Sequence, residues 1–319
     1  MKKLTFFLAA IAALCITTLA SAQPPDRWFD LPKFTQPPTL DGDRMTVADE
    51  WAGALEFPCS PSQIQLDGQE YGWRDQANQQ TEVSTNQLNE NGETEVAGEG
   101  RTDADYSSVI WQAWDDEALY YITEVSDNVR DTEGGERAWA WWERDSMSLY
   151  LDLNNEDHPG GDPAPSSYVN LNIVNFMAVP FGSNEISVCL VTTVDNARVN
   201  VHDPDALEGF EYAFRDAGDE FGDEGDADYV IEGKLPWETF IRNGNLYEVP
   251  TVGSEMGFTW LPPDPDGEDG FGGQLQCVAW AGGNQSEFAN WTFVDTPAGP
   301  TGTAVEEDSW GRVKETFVQ

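Results

Sequence analysis

The chain has 319 residues and carries 58 Asp and Glu against 16 Lys and Arg, a formal net charge of −42. That field repels phosphate backbones and anionic lipid heads, and nucleic-acid binding draws its affinity from basic side chains, so nucleic acid is excluded as a partner. Hydrophobic residues at 39%, with 13 Trp, 16 Phe and 9 Tyr, supply a sizeable core and exclude disorder along most of the chain.

Lys2 and Lys3 precede an apolar run over residues 4–19, and Ala20-Ser21-Ala22 has the small-x-small form of a signal-peptidase site. Cleavage after Ala22 is expected, leaving 23–319 as one secreted, periplasmic or cell-surface domain. The run is short for a membrane span and no other stretch approaches about 20 apolar residues, so no transmembrane segment is expected. Leu14 before Cys15 argues against lipidation, which needs a small residue there. Cys59, Cys189 and Cys277 then remain in an oxidising compartment. One bridge and one free thiol is the simplest arithmetic, and buried Cys acting as a small hydrophobe fits equally well; the wide spacing gives no zinc or redox motif.

Residues 60–101, rich in Gln, Asn, Glu and Gly, read as a long flexible insert. From residue 109 onward, short apolar runs alternate with turn residues, which predicts strands at 109–114, 119–125, 146–153, 168–176, 186–194, 229–235, 256–261 and 275–280. The clearest is 146–153, where Met147, Leu149, Leu151 and Leu153 share a core face and Ser148, Tyr150 and Asp152 share a wet one. Residues 203–228 hold 11 acidic side chains and one Arg, and their Gly and Asp content argues for a solvated acidic loop rather than a strand. Pro236 opens a helical turn over 236–240. The whole reads as all-β, a single antiparallel β-sandwich of jelly-roll or immunoglobulin-like form with long acidic loops.

Catalytic patterns are thin. The two histidines, His158 and His202, lie in Pro- and Asp-rich loops and build neither a Ser-His-Asp triad nor a multi-His metal site. Were the chain an enzyme, its carboxylates would suit glycoside hydrolysis, but no acid/base pair stands out among 58. Tryptophan is the sharper signal, with Trp139, Trp141 and Trp142 crowded just before the best strand. Flat indoles at a loop edge can stack on a sugar ring at small rotamer cost; packing at one end of the sandwich is the alternative. Asp-rich turns at Asp115-Asp116, at Asp127-Asn128 with Asp131, and at Asp264, Asp266 and Asp269 supply oxygen ligands for a structural Ca2+, without EF-hand spacing.

Taken in order, the pieces resemble a known family. Pro38-Thr39-Leu40-Asp41-Gly42 with Glu50-Trp51 is followed by 110–114, Asp115-Asp116-Glu117-Ala118-Leu119-Tyr120 and Val125-Ser126-Asp127. Trp142-Glu143-Arg144-Asp145-Ser146 leads into Leu149-Tyr150-Leu151-Asp152, and Tyr229-Val230-Ile231-Glu232-Gly233-Lys234-Leu235-Pro236-Trp237 precedes Gly257-Phe258, Trp280 and Trp310-Gly311-Arg312-Val313. This succession, over 38–317, resembles the family 9 carbohydrate-binding modules and their DOMON-type relatives. The resemblance implies a β-sandwich with bound Ca2+ and, in sugar binders, two tryptophans that clamp a terminal sugar; Trp142 and Trp291 match those positions. It further implies Ser148 where sugar binders carry Glu, Asn170 and Asn172 where they carry Arg, and Asp127 as a calcium ligand. Ser and Asn make weaker bonds to hydroxyls than charged groups do, so binding to a lone sugar end should be weaker or redirected.

The resulting expectation is a secreted, noncatalytic carbohydrate-binding protein linked to polysaccharide recognition or degradation. Two other readings stand beside it: a cell-surface structural or interaction protein that has lost sugar binding, and a glycoside hydrolase. The sequence leaves the glycan and the oligomeric state open.

Overall fold

The structure is a computed structural model. It describes residues 28–45, 50–60, 73–74, 103–104, 106–128, 145–155, 173–181, 185–194, 197–201, 209–216, 227–242, 248–263, 274–275, 277 and 288–300. In chain order its strands are β1 (Trp28–Phe34), β2 (Leu55–Cys59), β3 (Trp73–Arg74), β4 (Tyr106–Trp114), β5 (Ala118–Asp127), β6 (Met147–Asp152), β7 (Ile173–Phe181), β8 (Glu185–Val194) and β9 (Ala197–Val201). Then come β10 (Glu211–Asp216), β11 (Tyr229–Pro236), helix α1 (Trp237–Arg242), β12 (Glu255–Trp260), β13 (Gln274–Leu275) and β14 (Ala289–Ala298). The chain is all-β, and α1 falls where Pro236 predicts a helical turn.

Strand pairing follows the path β10-β11-β5-β4-β1-β14-β12-β6-β7-β8-β9, with β2 beside β4 and a separate β13-β3 pair. Most neighbours are antiparallel, but β1 runs parallel to β14 and, at Lys33 opposite Trp114, parallel to β4. This strand joins the two halves of the sandwich. Its register on β14 shifts between Leu31 and Lys33, so the intervening Pro32 falls at the irregularity, where its missing N–H costs no ladder bond.

One core lies between the halves. Ile110, Trp114, Tyr121, Tyr229 and Ile231 from the β10-to-β4 half meet Leu149, Leu151, Phe258, Trp260, Trp291 and Phe293 from the β14-to-β9 half. Trp114 meets Phe293 edge-on at 5.1 Å, and Tyr121 meets Trp260 at 5.4 Å. The Trp260 indole N–H donates to Oε1 of the buried Gln112 at 3.0 Å, a polar tie between the halves. Burial of each such aromatic ring contributes about 1.5–3 kcal/mol.

A second cluster covers the outer face of β4 and β5. Trp111, Ala113, Tyr120 and Ile122 pack under Phe34 and Trp51, with Phe34 edge-on to both Trp51 (5.2 Å) and Tyr120 (5.5 Å). The β4–β5 turn is built by Asp115, whose Oδ1 accepts from the N–H groups of Glu117 and Ala118 and whose Oδ2 accepts from the Tyr120 hydroxyl. Burial, then Asp115, raises the Tyr120 hydroxyl above its ordinary pKa, so that phenol stays protonated.

Two expectations are corrected. Residues 211–216, within the expected acidic loop, form β10 in full register with β11, because Phe210 and Phe214 lean on the core while Glu211 and Arg215 stay exposed. The wet face expected on β6 is also closed: Ser148 and Asp152 are fully buried and only Tyr150 is partly open. Cys59 and Cys277 form a disulfide, leaving Cys189 on β8 outside it. Apart from Trp73 and Arg74, the 60–101 insert lies outside the described residues beyond Ser60. Among the described residues no helix is long and apolar enough to cross a membrane.

Candidate functional site

Three segments far apart in the chain meet at one buried carboxylate. Glu232 of β11 accepts the backbone N–H of Asp41 (2.8 Å) and of Gly42 (2.9 Å) on Oε2, and the Trp51 indole N–H (3.2 Å) on Oε1. Neighbouring Glu50 accepts the Thr39 N–H at 3.1 Å. The Leu40-Asp41-Gly42, Glu50-Trp51 and 229–237 pieces therefore form one latch that fixes residues 35–45 and 50–54 over β4 and β5. Burial pushes the Glu232 carboxyl up to about 7 against the pull of those donors, and the nearby Glu50 adds to the rise. This arrangement is structural: the carboxylate is sealed from solvent.

The expected sugar-facing residues are placed as follows. Trp291 sits on β14, fully buried, with its ring stacked on Phe258 at 4.1 Å and 11°. An indole so enclosed presents no ring face to a sugar, which corrects the clamp role the resemblance implied for it. Ser148 of β6 is also fully buried, its Oγ without a hydrogen-bond partner and its C=O accepting the Leu261 N–H at 2.9 Å. Alternation puts Ser148 on the face of β6 away from the core and Trp291 on the core side, so the fold does not bring the two together. Trp142, Asn170 and Asn172 lie outside the described residues, as do Trp139 and Trp141.

Of the expected metal ligands, Asp127 ends β5, almost wholly buried, and its N–H donates to Asp228 Oδ2 at 2.7 Å. Asp228 is buried in turn, just ahead of β11. Asp131, Asp264, Asp266 and Asp269 lie outside the described residues. Among the described residues, no three His, Cys, Asp or Glu side chains converge on a common point. Asp115 spends both oxygens on its own turn, as given above.

Among the described residues, depressions open on the surface at two places of note. The first, of about 270 Å³, is lined by Arg44, Met45, Trp51, Gly53, Glu56 and Trp111 on the outer face of β4. The second, of about 350 Å³, surrounds Lys234, whose ammonium lies 3.0 Å from Glu211 and 3.8 Å from Glu117. The sequence carries no periodic signal for the first, because its wall comes from an irregular segment and its floor from a strand.

Residues 74–160 match the family model described as carbohydrate family 9 binding domain-like. That stretch spans β4, β5 and β6 and the Trp139-Trp141-Trp142 cluster. No curated protein matches the sequence. Among solved structures, the chain is similar to a family 9 carbohydrate-binding module from Caldicellulosiruptor kristjanssonii in complex with cellotriose, at 13% identity and a TM-score of 0.47, over 84% of this chain and 94% of that one. The module in complex with glucose gives 14% identity and a TM-score of 0.46, over 84% and 96%.

Proposed function

We propose that this chain is an exported, noncatalytic carbohydrate-binding protein acting in polysaccharide recognition or degradation, a reading supported by the match of residues 74–160 to the carbohydrate family 9 binding domain-like model. The observation that carries the reading is that match, since it takes in the tryptophan cluster at Trp139, Trp141 and Trp142 together with the central strand β6. In this reading Trp142 stacks on the apolar face of a sugar ring, and Asn170 and Asn172 bond its hydroxyls. The Cys59–Cys277 disulfide supports export, because such bridges persist in oxidising compartments. Calcium belongs to the reading as a structural ion: Asp127 and Asp228, buried side by side, offer the hard oxygens it prefers, with Asp131 four residues on.

Isothermal calorimetry of the mature protein against mono-, oligo- and polysaccharides tests this. Saturable heat that Trp142→Ala removes is the expected result. Absence of heat with every sugar, in a protein shown to be folded, would sink the reading.

A second reading is favoured by the burial of Trp291 and Ser148, two of the residues assigned to the sugar. In it the sandwich has lost sugar binding and serves as a cell-surface structural or interaction protein. The same titration separates the two.

A further inference from the structure

The latch at Glu232 holds residues 35–45 and 50–54 against β4, and on the outer side Arg44, Met45 and residues 51–54 wall the smaller depression. Arg44 is fixed there from two directions. Its guanidinium carbon lies 4.1 Å from the centre of the Trp111 ring, and its Nε donates to Glu124 at 3.0 Å. Stacking and ion pair together hold the planar group in one orientation before any ligand arrives, so little rotamer entropy is left to lose on binding. Nε is its one hydrogen-bonding group engaged among the described contacts, which leaves the terminal N–H donors to other acceptors.

Glu56, an exposed acceptor on β2 paired opposite Trp111 of β4, lines the same depression. Met45, 65% exposed, adds an apolar, adaptable edge, and Gly53 keeps the wall low. Donors, an acceptor and an apolar edge around one cavity make the pattern that binds a ring bearing hydroxyls on its rim and C–H groups on its face. The volume of about 270 Å³ is small for an extended chain segment and suits one ring.

Charge narrows the ligand further. Arg44 is neutralised by Glu124, Glu56 adds a negative group, and the chain carries −42 in all. Phosphate, sulfate or a uronate would be repelled; a neutral sugar would not. We propose that the Arg44–Glu56 depression is a second carbohydrate subsite that takes a single neutral pyranose unit. It lies on the outer face of β4, in the half of the sandwich that does not hold β6, and a second site of any kind on one polymer raises retention through avidity. The proposal rests on the carbohydrate-binding reading above.

The test is calorimetric titration of the mature protein with glucose, xylose, galactose and mannose, each as the free sugar. The wild type is expected to show two sites with at least one of these. Arg44→Met, which keeps the packing over Trp111 but removes the donors, and Glu56→Ala, at an exposed position, should each weaken one site about tenfold or more, as expected for loss of a charge-assisted bond. Trp142→Ala should abolish the other site, and Trp142→Ala combined with Glu56→Ala should leave at most residual binding. Thermal melts of each variant show whether the fold is retained, and Glu56→Ala carries the test if Arg44→Met does not fold. One site that Trp142→Ala removes and Glu56→Ala leaves untouched would overturn the proposal while the carbohydrate reading stands. No binding of any sugar, the polymers above included, would overturn both.

Discussion

Gly233 lies on β11 opposite Tyr121 of β5, and a Cβ on it would come within 2.6 Å of the phenol ring. Tyr121 has nowhere to retreat, being buried and packed on Trp260. Gly233→Ala is therefore expected to cost about 1–3 kcal/mol by overpacking, read as a lower urea midpoint with unchanged slope. In a Tyr121→Leu background most of that cost should vanish, and a cost that persists would place the strain elsewhere. Next to it, Glu232 gives the fold a pH dependence of defined sign. Its carboxyl titrates at about 7 in the folded chain, against an ordinary value of 4.5 for an exposed glutamate. The unfolded chain thus releases this proton first as pH rises, so the contribution to stability is complete below about 4.5 and is lost by about 7, to a limit of roughly 3 kcal/mol. Other carboxylates also titrate at the acid end, so the informative quantity is the difference between Glu232→Gln and wild type. That difference should move in favour of the variant as pH rises from 4.5 to 7.5, and a flat difference would contradict the assigned shift.

Among the elements, strands with a clean period of two were legible in the sequence: β4, β5, β6, β8, β11 and β12 fall where alternation puts them. β1 was not, because Pro32 interrupts its pattern and its partner, β14, lies some 260 residues downstream. β10 was masked by its acidic setting although Tyr212 and Phe214 alternate within it. Trp291 shows what composition hides: Ala289, Trp291 and Phe293 alternate with Asn290 and Thr292, the mark of a strand with one face in the core, and that signal outweighs proximity to a loop. Which two of three cysteines pair was equally beyond reach, since β2 and the residues after β13 meet only through the fold. The bridge closes a loop over a sequence separation of 218 residues. Its loss in Cys59→Ala is expected to cost about 2–5 kcal/mol, seen as a lower melting temperature that reductant does not lower further. Peptide mapping without reduction should recover Cys59 joined to Cys277, and a bridge to Cys189 would be incompatible with this pairing.

On the scale of the whole molecule, a charge of −42 acts on every folded residue at once. Few of these carboxylates have cationic partners, there being 16 Lys and Arg for 58 acids, so self-repulsion opposes the compact state. The range of that repulsion is set by salt, about 30 Å at 0.01 M and about 10 Å at 0.1 M, which spans the domain in the first case and only near neighbours in the second. The melting temperature should therefore climb as NaCl is raised from about 0.01 to about 0.5 M, and choline chloride should do as well as NaCl because screening does not depend on the cation's chemistry. A further gain from millimolar Ca2+ added on top of saturating NaCl cannot come from screening and would point to a site, with Asp127→Asn expected to remove it. The same argument fixes the glycan's charge. Neutral sugars should bind with an affinity that salt barely alters, whereas a polyuronate should be refused at low salt; tight, salt-weakened binding of a polyuronate would require a local positive surface that the composition makes hard to assemble.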